Sequence, residues 1–194
     1  SRTSLDLPGR QEELLKAVCK LGKPTILVMI DGRASSINYA KKYVPAILHA
    51  WFPGEFCGQA VAETIFGDNN PGGRLAVTFP KSVGQIPFAF PFKPGSDSGC
   101  GTSVTGALFP FGHGLSYTTF EYSNLRISPE QQGVLGEVKV SCTVKNTGKR
   151  IGDEVVQLYL RDEISSVTTY VKILRGFERI TLQPNEEKEV TFTL

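Results

Sequence analysis

Two kinds of spacing divide the chain. Up to about residue 87, apolar positions fall at helical intervals or in short unbroken runs, whereas from Phe120 onward they alternate with polar ones. A period near 3.6 marks helices, an unbroken run marks a strand buried on both faces, and a period of two marks a strand with one buried face. Residues 8–21 predict a helix, with Glu12 and Glu13 near its start, an apolar face of Leu14, Leu15, Val18 and Cys19, then Lys16 and Lys20, and Gly22 and Pro24 as stops. The run TILVMI over 25–30 predicts a buried strand. A helical stretch over 35–43, the run AILHAWF over 46–52, a helix over 58–66 capped by Gly67, and a strand over 75–79 ended by Pro80 continue the series. Helix and strand in regular alternation predict an α/β layer with a mostly parallel sheet. Three parallel strands make a narrow sheet, and such sheets are covered on both faces, so the pattern predicts the second half of a larger α/β sandwich.

Residues 88–119 are rich in Pro, Gly, Ser and Thr without periodicity, and predict a linker and connecting loop. Beyond them, FEYSNLRIS, EVKVSCTVKN, EVVQLYLRD, VKILRGFERI and EVTFTL predict strands separated by turn clusters such as Asn146-Thr147-Gly148 and Gln183-Pro184-Asn185. Immunoglobulin-like sandwiches have about seven strands, so five predict a sandwich truncated at its C-terminal end. The expected fold class is α/β followed by all-β: a partial α/β sandwich over 1–87, a linker over 88–119, and an immunoglobulin or fibronectin III-like β-sandwich over 120–194. The beginning at Ser1 and the end at Leu194, inside a strand, add the expectation that the chain is cut at both ends.

Charge and cysteine content narrow the chemistry. A net charge of +2 with no basic stripe gives no reason to expect nucleic acid, and no apolar run is long enough for membrane insertion. The four cysteines, Cys19, Cys57, Cys100 and Cys142, form no C-x-x-C pair and have no metal-like spacing with His49 and His113, so no metal is expected. Cys19, Cys57 and Cys142 lie in helix or strand patterns, where a free Cys packs as a small hydrophobe.

Ligands of open α/β sheets gather at the carboxyl ends of the strands. That singles out Asp31, Gly32 and Arg33 after the first strand and Glu55 after the second. Asp31 and Glu55 could serve as acid and nucleophile or base, or Asp31, Arg33 and Glu55 could bind substrate. A blander reading stands beside this one: Asp31-Gly32 as an ordinary turn and Glu55 as an acid favouring a helix start. Ser116 lies three residues after His113, yet no G-x-S-x-G elbow accompanies them. IDGRASS has one glycine where phosphate-cradling loops need two or three, so no nucleotide cofactor is expected. Trp51, Phe52, Phe56 and Tyr117 could stack on sugar rings or could simply pack.

The stretch AILHAWFPGEFCGQAVAETIFGDNNPGGRLAVTFPKSVGQIP closely resembles the second domain of glycoside hydrolase family 3, the β-glucosidases and β-xylosidases. There a strand, a Trp-x-x-Gly turn, a helix ending in Phe-Gly-Asp, and an Asn-Pro-x-Gly-(Lys or Arg)-Leu strand follow in that order. GALFPFGHGLSYTTFEYSNL resembles the family's passage into its C-terminal domain, and VKNTGKRIGDEVVQLYLRD with LRGFERITLQPNEEKEVTFTL is similar to its fibronectin type III-like domain. Phe56-Cys57 departs from the family's small pair after the Trp-x-x-Gly turn.

The resemblance implies a retaining, exo-acting β-glycosidase, secreted or periplasmic, that acts on a carbohydrate substrate. Its nucleophilic Asp would lie on an N-terminal barrel absent from this chain, and its acid/base Glu shortly upstream of Ser1. It carries over no catalytic residue to this chain and implies no cofactor. The rival expectation is a stand-alone carbohydrate-binding or scaffolding module with the sandwich as its working part.

Overall fold

The computed structural model describes residues 3–97, 103–130, 133 and 136–194; Cys100 lies outside them. The chain divides into two compact units. Unit 1 comprises Ser1–Ala62, Leu75–His113 and Val167–Thr169, and unit 2 comprises Glu63–Arg74, Gly114–Ser166 and Tyr170–Leu194.

Unit 1 begins with helix α1, Gln11–Lys20, whose Glu12 and Glu13 favour the positive end of the helix and whose Lys20 favours the negative end. Strand β1, Ile26–Met29, follows, then helix α2, Asn38–Tyr43, strand β2, Ala46–His49, and helix α3, Cys57–Phe66, within which the division between units falls. β1 and β2 pair in parallel, Ile26 with Ala46 through Met29 with His49, as the unbroken apolar runs lead one to expect. The expected burial of β1 on both faces does not hold: Ile26 is exposed and Met29 is the one buried residue of the two strands. Leu15 of α1, Met29 of β1, Ala40 of α2, and Ile37, Val44, Phe79 and Leu108 form the buried core.

The expected third parallel strand is a correction. Residues 75–79 do not join β1 and β2; they run antiparallel to 108–113. The Leu75 amide donates to the His113 carbonyl at 2.8 Å, the Gly112 amide to the Leu75 carbonyl at 2.7 Å, and the Phe79 amide to the Phe109 carbonyl at 2.9 Å. The physical reason lies in the segment read as a linker: Leu108 is buried and Phe109 packs edge-on against Phe79, so the apolar residues of GALFPF drive it back onto the core. Between these segments Gln85 is fully buried with its hydrogen-bonding groups satisfied. Its Oε1 accepts from the Lys81 amide at 2.7 Å and its Nε2 donates to the Asp97 and Gly106 carbonyls at 2.9 and 3.0 Å.

Unit 2 is a β-sandwich. Strands β3 (Phe120–Ser128), β4 (Lys139–Asn146) and β7 (Glu187–Thr193) form one antiparallel sheet in the order β3-β4-β7, and β5 (Gly152–Leu160) pairs with β6 (Ile173–Leu182) in the other. The period of two places Val144 on β4, Val156 on β5, Ile180 and Leu182 on β6 and Val190 on β7 in a shared core. Asn146 is buried with them and fully bonded. Its Nδ2 donates to the carbonyls of Arg150 at 2.7 Å and Leu182 at 3.0 Å, and its Oδ1 accepts from the Thr118 hydroxyl at 2.7 Å and the Gly148 amide at 3.0 Å. Cys142 lies half-buried on β4, where burial pushes its thiol pKa up. Cys19, Cys57 and Cys142 are all free.

The segment 63–74, which the sequence assigns to the α/β layer, belongs to unit 2. Asn70 accepts from the Ser116 hydroxyl at 2.9 Å and the Tyr117 amide at 2.7 Å, and donates to the Ile151 carbonyl at 2.9 Å. Arg74 pairs with the buried Glu154, which also accepts from the Tyr122 hydroxyl at 2.8 Å. Burial, and then the Glu154 carboxylate, push the Tyr122 phenol well above its ordinary pKa. Gly72 and Gly114 stand where chain segments meet: a Cβ on Gly72 would lie 2.7 Å from Cβ of Asp153, and one on Gly114 would run into the Gly73 carbonyl.

Candidate functional site

The carboxyl ends of β1 and β2 lie side by side, because the strands are parallel and Met29 pairs with His49. Here the structure joins two residues eighteen positions apart: Nε2 of His49 lies 2.9 Å from Oδ1 of Asp31. An ionised carboxylate can only accept, so the proton of this contact sits on Nε2, and the other ring nitrogen is Nδ1. That Nδ1 is buried and finds no hydrogen-bond partner among the described residues. The His49 side chain is only 10% exposed, its ring edge-on to Trp51 at 4.2 Å and to Phe79 at 5.2 Å. Trp51 itself sits at φ 56, a left-handed conformation that strains a residue with a side chain.

Asp31 has further partners. Its Oδ2 accepts from the Ser35 hydroxyl at 3.1 Å, and its Oδ1 from the Arg33 amide at 3.4 Å. The loop it organises is fixed at its far end as well. Ser35 and Ser36 are buried, the Ser36 amide donates to the Leu5 carbonyl at 2.9 Å, and its hydroxyl donates to the Pro80 carbonyl at 3.0 Å. Asn38, the first residue of α2, donates from Nδ2 to the Lys81 carbonyl at 2.8 Å.

The sequence candidates therefore part company. Asp31 faces inward with both oxygens engaged, which suits anchoring a loop better than taking a proton from substrate. Arg33 is exposed on the same loop, and its guanidinium enters no ion pair among the described residues. Glu55 is exposed in the turn before α3, and no hydrogen bond joins it to Asp31 among the described residues. Of the aromatic candidates, Trp51 packs on His49 and the Tyr117 hydroxyl donates to the Thr64 carbonyl at 2.8 Å within unit 2. Phe52 and Phe56 remain exposed, and the Phe52 ring covers Gly32 so closely that a Cβ there would lie 2.8 Å from Cζ. Ser116 gives its proton to Asn70, as a turn residue does rather than a nucleophile. No group of His, Cys, Asp and Glu suited to a metal ion occurs among the described residues.

Sequence reasoning missed His49. The signal was present, since a histidine ending an apolar strand must find a partner at the strand's end, and the neighbouring parallel strand ends two residues before an aspartate.

Residues 1–117 match the glycosyl hydrolase family 3 C-terminal domain. The chain belongs to glycosyl hydrolase family 3. Residues 154–194 of this family 3 chain match a fibronectin type III-like domain, within the β-sandwich. A β-xylosidase of Formosa agariphila is 50% identical to it, and a periplasmic β-glucosidase of Salmonella typhimurium is 42% identical; each match covers 100% of this chain and 27% of the relative. Among solved structures, a β-glucosidase from Erythrobacter marinus superposes with a TM-score of 0.93 at 43% identity, over 100% of this chain and 26% of that one. A Listeria innocua β-glucosidase in complex with glucose gives 0.89 at 34% identity, over 100% of this chain and 28% of that one. The family 3 chain thus spans about a quarter of the length of the relatives it matches.

Proposed function

We propose that the chain is the C-terminal part of a retaining, exo-acting β-glycosidase that removes terminal β-linked glucose or xylose from oligosaccharides or glycosides. The observation that carries this reading is the match of the whole chain, at 50% identity, to a protein named as a β-xylosidase. In this reading the nucleophile and the acid/base belong to polypeptide outside this chain, and the 194 residues supply part of the cleft wall at the carboxyl ends of β1 and β2. Arg33 and Glu55 are the side chains free to meet a sugar there.

Upstream polypeptide of the same protein, including a barrel, completes the α/β layer by docking on an apolar groove lined by Leu7, Leu14, Val18, Ile26 and Ile30. Leu14 is 66% and Ile30 55% exposed in that groove, and the relatives' additional length supports this occupant. A periplasmic or secreted location agrees with the name of the Salmonella relative, and no helix among the described residues is long and apolar enough to cross a membrane.

The test is turnover of aryl β-glucoside and aryl β-xyloside by the protein of the complete reading frame, with the anomer released followed by proton NMR. Release of the β-anomer first, and no turnover by the 194-residue chain alone, is the expected result. First release of the α-anomer, or hydrolysis by this chain by itself, would refute the proposal.

A further inference from the structure

We propose that the buried His49–Asp31 pair is a positioning device that fixes the loop over residues 32–38 as a rigid part of the substrate cleft. The proposal rests on the glycosidase reading for its consequence and on the geometry of unit 1 for its substance.

The imidazole is an unfavourable choice if packing were its only task. A phenyl ring would fill the same space against Trp51 and Phe79 without burying a polar ring nitrogen that has no partner among the described residues, and such a burial destabilises the fold. What a phenyl ring lacks is the Nε2–H that reaches Asp31 at 2.9 Å. That bond is charge-assisted and only one tenth of the histidine side chain meets solvent, conditions in which a hydrogen bond is strong.

Asp31 passes the constraint on, to the Ser35 hydroxyl and the Arg33 amide. The adjacent Ser36 is tied to Leu5 and Pro80, and Asn38 to Lys81. One end of the loop is thus held by β2 through His49, and the other by the chain segments at Leu5 and at 80–81. Between these anchors Arg33 is presented to solvent on a backbone that is already ordered, the arrangement that lowers the ordering cost of meeting a ligand. Asp31, a candidate sugar ligand in the sequence, becomes a positioning residue.

The test uses three forms of the 194-residue chain: wild type, His49→Phe and His49→Gln. The glutamine amide nitrogen reaches the place of Nε2 and keeps the donor, whereas phenylalanine keeps the ring and loses it. In His49→Phe the amides of Arg33 and Ser36 should exchange at least about tenfold faster, the equivalent of one charge-assisted hydrogen bond. The Ala50 amide, which is bonded to the Met29 carbonyl at 2.9 Å, should keep its rate. His49→Gln should restore the loop, and nitrogen NMR of the wild-type ring should show Nε2 protonated.

Uniformly faster exchange across unit 1 in His49→Phe, unchanged loop amides, or an Nε2 without a proton would each overturn the pair's role in holding the loop. In the full-length enzyme, kcat/KM should fall at least about tenfold in His49→Phe and recover in His49→Gln, the same loss read at the transition state. Unchanged turnover in His49→Phe, or equal loss in both variants, would overturn the role in the cleft. If wild-type full-length protein turns over neither glycoside, the glycosidase reading falls and the cleft role with it, while the exchange rates still decide whether the pair holds the loop.

Discussion

Asn146 offers the sharpest perturbation of the sandwich, because Asn146→Asp changes one atom's chemistry and almost no volume. The side chain is fully buried, and the substitution keeps the two bonds that Oδ1 accepts from Thr118 and Gly148. It removes the two that Nδ2 donates, leaving the carbonyls of Arg150 and Leu182 facing a carboxylate oxygen at the places where the donor stood, 2.7 and 3.0 Å away. An unsatisfied buried polar group costs about 1–3 kcal/mol, so two of them cost about 2–6 kcal/mol, before any charge is taken out of water. Against a total stability of about 5–15 kcal/mol, a loss near the middle of that range leaves unit 2 marginal.

Exchange of the β4 and β7 amides reads this unit directly. About 4 kcal/mol corresponds to an opening constant raised roughly a thousandfold. The variant also carries a sign that its parent lacks. When protonated, the carboxyl introduced at position 146 regains one donor, so the variant's deficit should be largest at neutral pH and shrink as pH falls through the titration of that carboxyl, whereas the wild-type amide has no such dependence. Exchange accelerated by less than about tenfold, or a deficit that does not lessen on acidification, would refute the account of Asn146 as a fully used four-bond junction.

Two further outcomes follow from charges in unit 2. Arg74→Met leaves Glu154 buried beside Tyr122 without its cation and should destabilise the chain by about 3–5 kcal/mol in thermal or denaturant unfolding, while the double variant Arg74→Met, Glu154→Gln should recover much of the loss. Asp153 accepts from Thr181 at 2.6 Å and pairs with Arg179; the Thr181 hydroxyl first, and then Arg179, hold its carboxyl below the ordinary range against the opposing effect of burial. A carboxyl whose folded pKa is depressed contributes stability above its unfolded pKa, and loses it as pH falls through the lower folded value. Acid unfolding between about pH 4 and pH 2 should therefore be shallower in Asp153→Asn than in wild type, and coincident acid limbs would contradict the assignment.

The elements legible in the sequence were those whose signals are local. α1 carries acids at one end, a lysine at the other and a glycine stop, and it forms within the expected span. β1 and β2 are unbroken apolar runs and pair in parallel. The alternation from Phe120 onward yields five strands in two sheets. What failed was partner choice. Leu75 to Phe79 reads as a strand whichever way it pairs, and only the apolar residues at 107–111 tell that an antiparallel partner is close at hand. The Pro and Gly content of 88–119 masks those apolar residues.

At the site, Asp31 is visible because it follows an unbroken apolar run. Its bond to His49 depends on which residues two parallel strands bring level, a register that no local pattern in either strand discloses. Glu154 gave a clue that went unused, since a charge at an inward position of an alternating strand calls for a buried cation.

The membership of residues 63–74 in the sandwich unit bears on how such proteins can be inherited. A recombination event that moved the sandwich as one uninterrupted block from Gly114 onward would leave Asn70 and Arg74 behind, and Glu154 would arrive in its new host with no counterion. A sandwich moved without the stretch from Glu63 to Arg74 would hold Glu154 buried without its counterion, unless position 154 changed with it.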